Sequence, residues 1–259
     1  MALNQSQKTK ITKLLEDKIG KKLKNYGRET SYMPFLSKLI QDDEKVASYS
    51  FIHSIATTLG MSIYEEVSKI IVEDFSEEAA TKIKIGGGIS PDQTRVIAEI
   101  IEALKNESKK VNKEDEIKLV LSASKNGATF KKEGNTVDFY FKRKNIEYFI
   151  EIKTVKPNID VFTSTKKKLL EWIVRKGTKV ETICAFPYNP YYPEPYTRFT
   201  EQGLLEKGRE LLVAEEYWDF LGGKDTYKGL LEIFDEVGKK FKSEILSKMK
   251  EVARIRYKD

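Results

Sequence analysis

Residues 135–158, NTVDFYFKRKNIEYFIEIKTVKPN, read as two β-strands joined by a tight turn: two runs rich in β-branched and aromatic residues flank Arg143–Asn145. Strand side chains alternate faces, so Val137, Phe139 and Phe141 share one face, while Asp138, Tyr140 and Lys142 share the other. In the second run Ile150 and Ile152 take the core face, and Phe149, Glu151 and Lys153 point away from it. A two-residue loop makes the sum of paired residue numbers odd. Asp138 then falls on the same face as Glu151, directly or diagonally opposite and within about 5 to 8 Å. A three-residue loop would flip one strand and separate the two carboxylates.

Outward from this hairpin, the chain predicts an α/β fold with a central mixed β-sheet flanked by helices and with helical N- and C-terminal parts. The runs IKLVLSAS, TVDFYFK, IEYFIEIKTV and VETICAFPY are expected strands, placing a sheet core at residues 116–186. Between the last two, Leu169, Leu170, Ile173 and Val174 are spaced for a helix that Gly177 ends. Strand, helix and strand in that order suggest a crossover to a parallel neighbour. Amphipathic helices are expected over 7–25 and about 54–75, the first within a helical N-terminal region, 1–50. A helical C-terminal region spans 204–259. No linker or repeat divides the chain, so a single domain, 1–259, is expected. The glycines of IKIGGGISPDQTRVIAEIIEALK lack the Gly-Lys-Ser/Thr of a phosphate loop. They precede a helix start instead, with Ser90 as N-cap, Pro91 in the first turn and Gln93 closing a capping box.

Composition narrows the function classes. The 259 residues are 40% hydrophobic and 33% charged, and no apolar run approaches the roughly 20 residues of a membrane span. The first residues lack the apolar core of a signal peptide. One cysteine, Cys184, excludes internal disulfides and Cys-rich zinc sites and favours a reducing, cytoplasmic setting. One histidine, His53, excludes a multi-histidine metal centre. The net charge of +6 permits a polyanionic partner without requiring one.

Against that background, Asp138, Glu151 and Lys153 have two readings. One is a solvated sheet face that carries charge. The other is a metal site: adjacent carboxylates repel unless a cation joins them, and hard oxygen donors suit Mg²⁺, which keeps waters for a phosphate substrate. Such a metal polarises a phosphodiester and acidifies a water, and an adjacent lysine orients or deprotonates that water and stabilises the phosphorane.

Asp138, twelve intervening residues, then Glu151-Ile152-Lys153 resembles the D…ExK signature of the PD-(D/E)XK nuclease superfamily. The wider wording FIEIKTVKPN, KKKLLEW, AFPYNPYYPEPYTRF and EEYWDFLGGKDTY is similar to the TdeIII/MjaII type of type II restriction endonucleases, from about His53 to the C-terminal helix. Thr136 and Val137 stand where the superfamily's name has a proline before the aspartate. The resemblance implies a restriction-endonuclease-like core and hydrolysis of both strands of double-stranded DNA, leaving a 5′-phosphate, at a site of the GGNCC kind. It also implies Mg²⁺ as cofactor and, in the same system, a DNA methyltransferase that forms no stable complex. Carried over by residue, it makes Asp138 and Glu151 metal ligands, the Ile152 carbonyl a further ligand, and Lys153 the residue that handles the attacking water. A helical glutamate often joins such sites. Periodicity does not choose between Glu65 and Glu66, and the resemblance favours Glu65. DNA contacts are expected from Lys156 and Asn158, from Lys166, Lys167 and Lys168 at the start of the next helix, and from Asn189, Tyr191 and Arg198 in the loop after the last strand. That loop reads equally well as a rigid surface turn packed by its own rings. A two-fold target is met most simply by a homodimer. The rival readings are a repair or junction-resolving nuclease with the same core and a non-catalytic DNA-binding module.

Overall fold

Lys144 and Asn145 adopt φ of 54° and 59°. Two successive left-handed residues make the primed turn whose twist matches a hairpin. The computed structural model, which describes residues 3–26, 33–153, 158–197 and 203–256, therefore joins β2 (Thr136–Arg143) to β3 (Ile146–Ile152) through a two-residue loop. The register pairs Arg143 with Ile146 and Phe139 with Ile150, keeping the expected odd sum. β1 (Glu78–Lys84) lies antiparallel on the far side of β2. From β3 the chain crosses through α7 (Ile159–Lys176) to β4 (Glu181–Phe186), which runs parallel to β3 as expected, and β5 (Leu211–Val213) runs parallel to β4. The result is a mixed sheet in the order β1-β2-β3-β4-β5. Gly177, at φ 69°, ends α7 as its sequence position suggested.

Three expectations are corrected. Residues 117–124 do not form a strand, because α6 (Lys113–Ser122) occupies most of that run. Asn112 accepts a hydrogen bond from the Asp115 amide, three acidic residues fill the first turn, and Ile117 and Val120 bury one side; these signals outweigh β-branched content. The sheet is not confined to 116–186, since β1 precedes that range and β5 follows it. Finally, the sheet face carrying Asp138 and Glu151 is not left to solvent. Tyr140, Phe149, Cys184 and Phe186 pack in one core cluster with Leu169, Leu170, Trp172 and Ile173 of α7. Burying each large apolar side chain contributes about 1.5 to 3 kcal/mol, which fixes α7 against this face. The opposite face buries Phe139 and Phe141, whose rings stack at 5.6 Å, and Tyr148 meets Phe220 of α8 (Glu215–Gly222) edge-on. α5 (Pro91–Lys105) starts with the capping box that Ser90 and Gln93 foretold.

The elements above belong to a compact unit of residues 68–224. In a second unit, residues 2–67 and 225–259, the described residues are mostly helical. It holds α1 (Gln5–Asn25), α2 (Pro34–Ile40), α3 (Asp43–Thr58), a π-helical turn (Leu59–Ile63), the start of α4 (Tyr64–Val72), and α9 (Thr226–Arg256). Its core gathers Leu23, Tyr26, Ala47, Phe51, Val252 and Ala253, and the Tyr26 hydroxyl meets Ser50 Oγ at 3.0 Å. Gly60 sits in the π turn, where the helical pattern expected over 54–75 changes pitch. Among the described residues no helix is long and apolar enough to cross a membrane.

Candidate active site

Continuing the β2–β3 register by one residue sets Asp138 directly opposite Glu151. The Asp138 carboxylate accepts a hydrogen bond from the Ile152 amide at 2.9 Å, which turns it toward the end of β3. Lys153 continues β3, its amide donating to the Ala185 carbonyl of β4. Its ammonium lies 2.5 Å from Glu151 Oε1. The other oxygen, Oε2, lies 2.5 Å from the ammonium of Lys168, which comes from α7. Glu151 is only 3% exposed. A carboxylate buried between two lysines is not an ordinary solvated sheet face.

Burial pushes the Asp138 carboxyl up from its usual range, and the Glu151 charge pushes it further in the same direction. For Lys153, burial opposes the charged form, but the neighbouring Glu151 and Asp138 carboxylates outweigh it and raise the ammonium above its ordinary value. Lys153 is thus held as a cation. Cys184 pairs with Glu151 in the β3–β4 register, and burial drives its thiol far up, so it packs beneath the site as a neutral group. Opposite Asp138, β1 is irregular: Lys82 takes φ 54° and the ladder skips from Thr81 to Ile83. A non-glycine residue in that region is strained, and its place beside the carboxylate pair is a signal that sequence patterning does not carry.

A cavity of about 360 Å³ opens beside Glu151 and Lys153. Lys131, Lys153, Lys167, Lys168 and Arg175 line it together with the carboxylates of Glu133, Glu151 and Glu171. Its far wall, the loop at 133–134, is tied to α7: Arg175 donates to the Glu133 carbonyl at 2.9 Å and Trp172 to the Gly134 carbonyl at 2.8 Å. Gly87 completes this seam, since a Cβ there would lie 2.1 Å from the Arg175 carbonyl oxygen. The donors fit a hard divalent cation of the Mg²⁺ type: two carboxylates on one face and the adjoining Ile152 main chain, with no nitrogen or sulfur ligand. Among the described residues no group of three or more His, Cys, Asp and Glu side chains is placed to hold a metal. Such a cation would therefore keep several waters.

The remaining expected residues are placed as follows. Glu65 and Glu66 open α4 within the helical unit. Glu65 is buried and Glu66 half-buried, which separates two residues that periodicity left equal. Asn158 is exposed and caps α7, accepting from the Val161 amide at 2.9 Å. Lys167 is largely exposed on the cavity rim, 3.8 Å from Glu171. Lys166 is not a phosphate contact: it is wholly buried between Glu116 and Glu210, at 2.5 and 2.6 Å. Asn189 gives its amide to its own loop, donating to the Glu194 carbonyl and accepting from the Tyr191 amide. Tyr191 is half-buried, its ring 5.5 Å from that of Tyr196. Lys156 and Arg198 lie outside the described residues. His53 is an exposed residue of α3 stacked on Tyr49. Lys168's hold on Glu151 was missed because it depends on how α7 docks, which no spacing within a strand reveals.

Comparison with known proteins places the chain in a family. The chain is 32% identical over 222 residues to the type II restriction enzyme MjaII of Methanocaldococcus jannaschii, an alignment covering 77% of this chain and 58% of that enzyme. It is 27% identical over 280 residues to the type II restriction enzyme HgiEI of Herpetosiphon aurantiacus, covering 96% of this chain and 99% of that enzyme. HgiBI, from the same organism, is 26% identical over a similar span. The family model described as type II restriction endonuclease, HinfI, matches residues 3–238, and the chain belongs to that family.

Proposed function

We propose that the chain is a Mg²⁺-dependent endonuclease. It hydrolyses both strands of a short two-fold DNA site, of the GGNCC kind, acting as a homodimer and as one nuclease domain. The observation that supports this most is the buried Glu151 carboxylate, placed opposite Asp138 and gripped by two ammoniums at the edge of a cation-lined cavity. Asp138, Glu151 and the Ile152 carbonyl would hold the metal, which when bound acidifies a water and offsets charge at phosphorus. Asp138 is oriented for this by the Ile152 amide. Lys153, whose ammonium stands 2.5 Å from Glu151, would orient the attacking water and stabilise charge growing on the phosphate oxygens. Lys167 on the rim meets backbone phosphates, as Lys156 and Asn158 do in the reading carried from the sequence. The turn at 187–197 is braced by the Asn189 amide and by the Tyr191–Tyr196 ring contact, so of Asn189, Tyr191 and Arg198 the arginine is the residue that would read bases.

Digestion of mapped plasmid DNA tests this. Discrete Mg²⁺-dependent bands are expected. Cleavage only at branched or damaged structures would favour a repair-type nuclease, and binding without cleavage would overturn the enzymatic reading.

A further inference from the structure

We infer that Lys168 is a built-in counter-ion that competes with the divalent cation for Glu151. This inference rests on the proposed role of Glu151 as a metal ligand. Each oxygen of this carboxylate has its own ammonium, Lys153 on Oε1 and Lys168 on Oε2, both at 2.5 Å. The two lysines differ in origin. Lys153 is carried by the same strand as its partner, two residues on, while Lys168 reaches across from α7. Its place is fixed by the buried neighbours Leu169, Trp172 and Ile173, and the ammonium stands 5.1 Å from the centre of the Trp172 ring. The Lys168 side chain is 23% exposed against 4% for Glu151, so this is a seated contact and not a surface lysine in passing.

The consequence is a substitution at one oxygen. Without metal, the two ammoniums neutralise Glu151 and hold it in one orientation, so the buried charge is never left unpaired. A cation that takes Oε2 must displace Lys168 and then bear its repulsion at short range. Lys168 remains in the cavity with Lys131, Lys167 and Arg175 and the carboxylates of Glu133 and Glu171, and an entering phosphate adds a further anionic partner there. Lys168 is thus a positioning residue that weakens metal binding to the free protein. It leaves the fully occupied site to form when an anionic substrate draws the ammonium away.

The test is Mn²⁺ binding to the full-length protein without DNA, followed by electron paramagnetic resonance of the free ion. Lys168→Met removes the charge but keeps the stem over Trp172, and should tighten Mn²⁺ by about tenfold. Lys168→Gln serves as a second neutral variant, in case methionine disturbs the fold, and should tighten it likewise. Lys168→Arg should stay near wild type. A role in packing alone would leave Mn²⁺ affinity unmoved, so unchanged or weaker binding in both neutral variants overturns the inference. Glu151→Gln separates this from the underlying reading. If it leaves Mn²⁺ binding intact, the metal site itself is misplaced; if it abolishes binding while both neutral lysine variants match wild type, only the role of Lys168 fails.

Discussion

Asp138→Asn should make the metal-free protein more stable while removing its activity. Directly opposed strand residues sit about 5 Å apart. Two unit charges at that spacing repel by about 3 kcal/mol at an effective dielectric of about 20. Lys153, Lys168 and the Ile152 amide offset part of this, and burial adds to it, in keeping with the raised carboxyl of Asp138. Asparagine has nearly the same shape, and its oxygen still accepts from the Ile152 amide, so the repulsion goes and the hydrogen bond stays. A net gain of about 1 kcal/mol is expected, roughly 0.4 M in the urea midpoint for an m-value of about 2.5 kcal/mol/M. The sign with pH follows from the raised folded-state value. The penalty is full above that value and disappears as pH falls below the unfolded value, so the advantage of the variant should shrink on acidification toward about pH 4. Urea unfolding in EDTA at several pH values measures this directly. Mg²⁺ should restore stability to wild type and do little for the variant. A variant destabilised by 1 kcal/mol or more, or an advantage that grows on acidification, would refute the electrostatic reasoning.

Other perturbations separate the roles assigned above. Lys153→Ala should lower the single-turnover cleavage rate by about 10²-fold or more with little loss of DNA affinity, and the reverse pattern would make it a phosphate contact. Lys167→Ala should weaken cognate and random DNA alike and reduce the slope of log affinity against log salt by about 1, read by titration at several salt concentrations. Lys166→Met strands Glu116 and Glu210 in the core and should cost about 3 to 5 kcal/mol in urea unfolding, a loss that a phosphate contact would not produce.

The hairpin was legible because its evidence is local. Alternation fixes the faces, and a two-residue turn at Lys144 and Asn145 fixes the register, so the opposition of Asp138 and Glu151 follows from residues within one short stretch. The capping box at Ser90 and the stop at Gly177 were legible for the same reason. What the sequence hid depends on distant packing. The apolar run at 117–121 suits a strand or a helix, and only the Asn112 cap and the burial of Ile117 and Val120 select the helix. β1 and β5 are short or half-exposed strands with weak alternation of their own. Lys166, Lys167 and Lys168 look alike in a row, yet successive helical positions send them to a buried ion cluster, the cavity rim and the Glu151 carboxylate.

If the Asp138–Glu151 pair is the hydrolytic centre, Glu151→Gln must lose cleavage and keep DNA binding. Wild type and Glu151→Gln are incubated with a mapped duplex at equal occupancy, and cleavage is followed in Mg²⁺ under single-turnover conditions. Discrete fragments are expected from wild type, and none above background from Glu151→Gln with DNA binding retained. Cleavage by Glu151→Gln at the wild-type rate would contradict that assignment.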